Sequence, residues 1–133
     1  MRILELFKKK LSFDIRIYRS KIENIDKELT ILISKRNELY DRYTRLKEES
    51  FKDVSSLHYK VEYLKSLEKE ISLIDEKIDL LEMKKEAVKL QVKLKNAEKK
   101  SVEKYIKNIN RDALKKELKK EIQIAETSFN NRR

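Results

Sequence analysis

Not one glycine or proline occurs in the 133 residues of this chain. Glycine supplies the φ angles of tight turns, and proline breaks helices and starts turns. A chain with neither has little means of making the many turns of a globular domain. One turn, or none, is therefore expected. With 44% of residues charged and 39% hydrophobic, the composition is that of long helices or coiled coils. A two-helix arrangement buries only a seam, so it gains less apolar burial per residue than a compact domain, and marginal stability is expected when it is unbound.

Apolar side chains in the first segment fall at Leu4, Phe7, Leu11, Ile15, Tyr18, Ile22, Ile25, Leu29, Leu32, Leu39, Tyr43 and Leu46. From Ile15 onward the steps alternate three and four, with Arg36 in the one interrupted place. This is a heptad seam whose a and d positions face a partner helix. Phe7, Leu11 and Ile15 are separated by two steps of four, which predicts a stutter that locally relaxes the supercoil. The phase is lost across KEESFKDVSS, Lys47 to Ser56, where short polar side chains compete with helix by bonding to the backbone. A turn is expected there, with Ser55 or Ser56 as the N-cap of the next helix.

The second seam runs through Leu57, Val61, Leu64, Leu67, Ile71, Ile74, Ile78, Leu81, Val88, Val92, Val102, Ile106 and Ile109, with Lys85, Lys95 and Lys99 in phase. After Ile109 the phase slips, and it resumes through Leu114, Leu118, Ile122, Ala125 and Phe129. The expected fold is all-α: an extended antiparallel two-helix coiled coil, or α-hairpin, forming a single domain over 1–133. Helix 1 is expected over about 3–48, the turn over about 49–56 and a longer helix 2 over about 57–129. A continuous single helix is the competing reading of the same pattern. At ~1.5 Å per residue the helices span roughly 70 and 110 Å. If the turn centres near 52 and 53, paired residue numbers total about 105, so Leu4 falls opposite the Val102 region and about 30 C-terminal residues overhang. Arg36 then falls near Glu68 to Glu70, and Lys85 near Glu23. The overhang carries an apolar stripe that needs a partner or a second copy to cover it. A further column, Leu73, Leu80, Ala87 and Leu94, repeats every seven residues. It either widens the buried face or docks a partner helix.

Charge is distributed unevenly. Residues 1–22 hold seven Lys and Arg against two acids, and residues 96–133 hold eleven against six, so each segment is +5 and the whole formal +10 lies in them. In a hairpin both segments lie at one end, which points to two different partners for the two ends. Clustered Lys and Arg attract an acidic protein surface, nucleic acid or an anionic membrane. Nucleic acid is disfavoured because the charge is mostly Lys without groove-reading Arg or aromatic residues, and the apolar residues of the first eighteen positions are already used by the seam.

The residues of catalysis are missing. His58 is the only histidine and there is no cysteine, so no metal site is expected. Without glycine there is no phosphate-cradling loop. Carboxylates on a two-helix rod lack the dry pocket that shifts their pKa. No catalytic residue, cofactor or metal is expected, and the chain reads as a binding protein rather than an enzyme. The absence of cysteine suits a reducing cytoplasm. Lys8, Lys9 and Lys10 split the apolar residues near the N-terminus, so no continuous hydrophobic span is expected.

The block YKVEYLKSLEKEISLIDEKI from Tyr59, followed by a Lys- and Glu-rich helix ending in EIQIAETSFNNRR, resembles the FliJ family of flagellar type III export proteins, to which the injectisome stalk proteins are related. Length and the short–long helix order agree. The resemblance implies a cytoplasmic, non-enzymatic stalk, peripherally associated with the inner membrane at the flagellar base. Its terminal end would bind the hexameric export ATPase ring. The rod would also contact the cytoplasmic domain of the export gate and escort export chaperones, with no nucleic acid and no direct membrane insertion. The family's gate-contacting patch maps onto Tyr63, Leu67, Glu70 and Ile74, where Glu70 departs from the usual small residue and Ile74 is also a seam candidate. For the ring, the resemblance directs attention to Phe7, Lys9, Lys10, Leu118, Ile122, Phe129 and Arg132. A generic coiled-coil adaptor or self-assembling structural protein is the alternative.

Overall fold

The computed structural model describes residues 2–131. The fold is all-α, an antiparallel hairpin of two helices, α1 (Arg2–Glu48) and the longer α2 (Val54–Asn131). There is no strand among the described residues. Glu5 in the first turn of α1 and Arg45 and Lys47 in its last turn place each charge sign where the helix dipole favours it.

The connection, residues 49–53, solves its turn without glycine. No described residue has a positive φ, so α1 cannot end in the left-handed cap that satisfies many helix C-termini. Instead the Glu49 amide donates to the carbonyls of Arg45 and Leu46, at 3.2 and 3.3 Å. Lys60 reaches back from α2, its Nζ donating to the carbonyls of Lys47 (3.1 Å) and Glu49 (2.5 Å). The Lys60 ammonium also lies 5.5 Å from the Phe51 ring centre. A cation on the last carbonyls of a helix both satisfies orphan acceptors and complements the dipole.

α2 begins earlier than expected. Asp53, rather than Ser55 or Ser56, is its N-cap: the Ser56 amide donates to Asp53 Oδ1 at 2.6 Å. That bond holds the Asp53 carboxyl below its usual pKa, because it favours the charged form.

By contacts the chain divides into two compact units, residues 17–91 and residues 1–16 with 92–133. In the first, Ile25, Leu29 and Leu39 of α1 and Leu67, Ile71, Ile74 and Ile78 of α2 form the core, flanked by Leu32, Ile33, Tyr43, Leu46, Leu81 and Val88. Full burial of each such side chain contributes roughly 1.5–3 kcal/mol. Three cross-helix pairs define the register: Tyr43 Oη donates to Glu68 at 2.8 Å, Arg36 meets Asp75 at 3.2 Å, and Lys85 meets Asp26 at 2.6 Å. In each the residue numbers total 111. This corrects the total of about 105, and with it the expected partners of Arg36 and Lys85.

The reason lies in the overrun of α2 past the end of α1. At a total of 111, Glu48 falls opposite Tyr63, so residues 54–62 run past the end of α1 by about 13 Å. Five linking residues, reaching at most about 17 Å, can return over that distance. Leu57 and Val61, in seam phase but beyond the end of α1, are consequently 50% and 40% exposed.

In the second unit, Leu11 and Ile15 are buried, and the in-phase α2 residues Val92, Lys95, Lys99, Val102, Ile106 and Ile109 are half-buried. The lysines lay their methylene stems along the seam. Lys8 meets Glu103 at 3.5 Å, again totalling 111, so Leu4 falls opposite Lys107 rather than Val102. The covered seam positions run Leu4, Lys8, Leu11 and Ile15, the first two half-buried and the last two buried. That is an unbroken four-three alternation with Lys8 in phase and Phe7 turned outward at 43% exposure, and the expected stutter is absent. α1 starts at Arg2, opposite Ile109, so the overhang starts at residue 110. It comprises 22 of the described residues, all exposed, rather than about 30.

Candidate partner-binding surfaces

The two units differ completely in charge. Residues 1–16 and 92–133 hold eighteen Lys and Arg against eight Asp and Glu, a formal +10, whereas residues 17–91 hold sixteen of each. A net positive field therefore belongs to the first of these units.

Within the basic unit, Leu114, Leu118, Ile122, Ala125 and Phe129 follow steps of four, four, three and four, and so share one face of α2. Leu118, Ile122 and Phe129 are 50%, 57% and 62% exposed. Such an exposed apolar stripe is a candidate surface for another molecule. Phe7, Lys9 and Lys10 are exposed on α1, but the structure does not bring them beside that stripe: the register places Phe7 near Lys104, more than ten residues before Leu118. The basic unit therefore offers two surfaces rather than one. Arg132 lies outside the described residues.

The four positions expected to contact an export gate divide differently. Leu67 and Ile74 are 3% and 5% exposed and belong to the core, while Tyr63 and Glu70 are exposed. A stripe at steps of four and three is what faces α1, so the same spacing that suggested a docking stripe marks the seam. An outside partner meets only Tyr63 and Glu70 of the four.

Around Tyr63 the overrun of α2 creates a feature that sequence reasoning missed. Leu46, Phe51, Tyr59, Lys60, Tyr63 and Ser66 line a groove of about 600 Å³. Phe51 and Tyr63 stand at its walls, 38% and 49% exposed. The signal available was Tyr59 and Tyr63, one helical turn apart, with an aromatic residue in the turn before them. His58 is exposed beside Tyr59, with ring centres 6.3 Å apart. Below the groove, Tyr43 donates to Glu68 while Lys47 lies 5.8 Å from its ring centre. The hydrogen bond to a carboxylate holds the Tyr43 phenol above its ordinary pKa, since it favours the neutral donor.

A further surface lies on the back of α2. Leu73 and Leu80 are 51% and 66% exposed and Ala87 is exposed, so this column does not widen the buried face. In the basic unit, Leu94 is 49% exposed.

No family model, curated protein or solved structure matches the chain. No helix among the described residues is long and apolar enough to cross a membrane, and no group of three or more His, Cys, Asp or Glu there could hold a metal ion. What the described residues offer are elongated apolar stripes and one aromatic groove, which suit the docking of helices and peptides.

Proposed function

We propose that this chain is a non-enzymatic component of the flagellar type III export apparatus, a stalk that joins an export ATPase ring to the membrane export gate and escorts export chaperones. The observation that carries this reading is the segregation of charge: the unit containing both terminal segments holds the formal +10, and residues 17–91 are neutral. A basic unit bearing an exposed apolar stripe at Leu118, Ile122 and Phe129 is suited to the lumen of a partner ring. The aromatic groove at Phe51, Tyr59 and Tyr63 takes over the gate-contacting role from Leu67 and Ile74, which the core uses. In this reading ATP hydrolysis belongs to the ring, and the stalk works in the cytoplasm, peripherally at the inner membrane of the flagellar base.

The test is a pull-down from a flagellated bacterial lysate at moderate salt, with the full chain and a version ending at Asn110 as baits. Recovery of a hexameric ATPase by the full chain alone supports the stalk. Tyr59→Ala with Tyr63→Ala should release the gate domain while retaining the ATPase, and Ile122→Ala with Phe129→Ala should do the reverse. Loss of both partners from either pair, or recovery of neither by the intact chain, leaves a generic coiled-coil adaptor.

A further inference from the structure

α2 carries a second heptad seam that its hairpin partner does not touch. Within the neutral unit, Leu73, Glu76, Leu80, Met83, Ala87 and Leu90 follow steps of three, four, three, four and three, the spacing of a and d positions. Each lies two residues beyond a position of the inner seam, Ile71, Ile74, Ile78, Leu81, Lys85 and Val88. Two residues turn an α-helix by about 200°, so the second seam runs along the back of α2, away from α1. Leu73, Leu80, Met83 and Leu90 are 51%, 66%, 69% and 55% exposed. Singly exposed apolar residues are ordinary, but a periodic row of large ones marks an interface.

Flanking charges indicate what covers it. If Leu73 is an a position, the e positions are Lys77 and Lys84 and the g positions are Asp79 and Glu86. All four are exposed, with one flank cationic and the other anionic. In a parallel coiled coil a g residue meets the e residue five places on in its partner, which sets Asp79 against Lys84 of an identical helix, twice by symmetry. In an antiparallel pair e meets e and g meets g, which sets Lys77 against Lys84 and Asp79 against Glu86. The stripe therefore complements itself in one orientation only. It also lies in the neutral unit, where a second copy meets no excess of like charge.

We propose that this back face of α2 joins two copies of the chain in a parallel, in-register dimer. The inference goes beyond the stalk reading and uses none of the residues assigned there. The seam is short, about 27 Å over residues 73–90, and Glu76 from both copies meets at a d position, so the dimer is weak and reversible.

Sedimentation equilibrium of the full chain tests the proposal. The intact protein should move from monomer to dimer with rising concentration. Leu80→Ser with Met83→Ser should raise the dissociation constant at least tenfold while leaving the helicity of the monomer unchanged, because neither residue is in the core. Glu76→Leu should tighten the dimer. Asp79→Lys should weaken it, and adding Lys84→Asp should restore it; tightening by Asp79→Lys alone would show an antiparallel pair and overturn the orientation. The chain has no cysteine, so Met83→Cys should form a self-disulfide on mild oxidation. A mixed disulfide between Leu73→Cys and Leu90→Cys chains, without the Met83→Cys product, would also overturn it. A fully helical monomer at every concentration would refute the dimer and leave this face to a helix of another protein.

Discussion

Replacing Arg36 with leucine should stabilise the protein. Arg36 occupies an inner-seam position, where its Nη1 meets Asp75 at 3.2 Å but its Nε is buried without a hydrogen-bond partner. An unsatisfied buried donor costs about 1–3 kcal/mol. The ion pair returns little, since its side chains are 29% and 41% exposed and such pairs are worth about 0–1 kcal/mol. Leucine removes the orphaned donor and adds apolar burial of about 1–2 kcal/mol at this half-covered position. After subtracting the lost pair and allowing for imperfect fit, the net gain is about 2 kcal/mol. For a cooperative unit of this size that is about 10 °C in Tm. Thermal melts followed by far-UV circular dichroism, at neutral pH and fixed protein concentration, measure it directly. Asp75→Ala and the double variant complete a cycle whose coupling should stay below about 1 kcal/mol. An Arg36→Leu protein that melts at or below the parent, with native helicity, would refute the reasoning and show the Arg36–Asp75 pair to be a net source of stability.

Urea unfolding should separate true seam residues from those in phase but beyond the end of α1. Leu11→Ala and Ile74→Ala should each cost about 2–5 kcal/mol, whereas Leu57→Ala, already half exposed, should cost less than about 1 kcal/mol. Two groups should shape the pH dependence of helicity. The Asp53 cap has a lowered pKa, so its contribution is present above the ordinary carboxylate value and lost as pH falls through the lowered one; Asp53→Asn should remove that part of the acid limb. Lys85 is held above the ordinary lysine value by its bond to Asp26, so its contribution is complete below that value and lost as pH rises through the raised one; Lys85→Met should flatten the alkaline limb.

The inner seam was legible over most of its length because a helix without glycine or proline keeps its phase, and apolar side chains at three–four steps have one face on which to pack. Tyr18, Ile25, Leu39, Ile71 and Ile78 all lie where that period puts them. Register was not legible. It depended on which side chain capped α2, and Asp53 competed with two serines of similar capping strength. The overrun of α2 past Glu48, made by residues 54–62, raised every cross-helix total by about six. The position of Phe7 was misread for another reason: an apolar residue and Lys8 stand side by side, and the lysine could bury its stem while ion-pairing with Glu103. Leu67 and Ile74 show the limit of motif transfer, since docking stripe and core seam share one spacing and only packing tells them apart. The Phe51, Tyr59 and Tyr63 groove arises from the overrun of α2, which no local pattern encodes.

The separations of the cross-helix pairs set the order in which the hairpin can close. Tyr43 and Glu68 are 25 residues apart, whereas Glu103 follows Lys8 by 95. Pairing near the turn costs the least loop entropy, so closure begins there and proceeds outward. At ~5–20 residues per second of synthesis, the partner of Lys8 emerges about 5–20 s after it. Throughout that interval Leu11 and Ile15 have no α2 seam to bury them, and the nascent N-terminal helix is a ready ligand for any chaperone with an apolar groove.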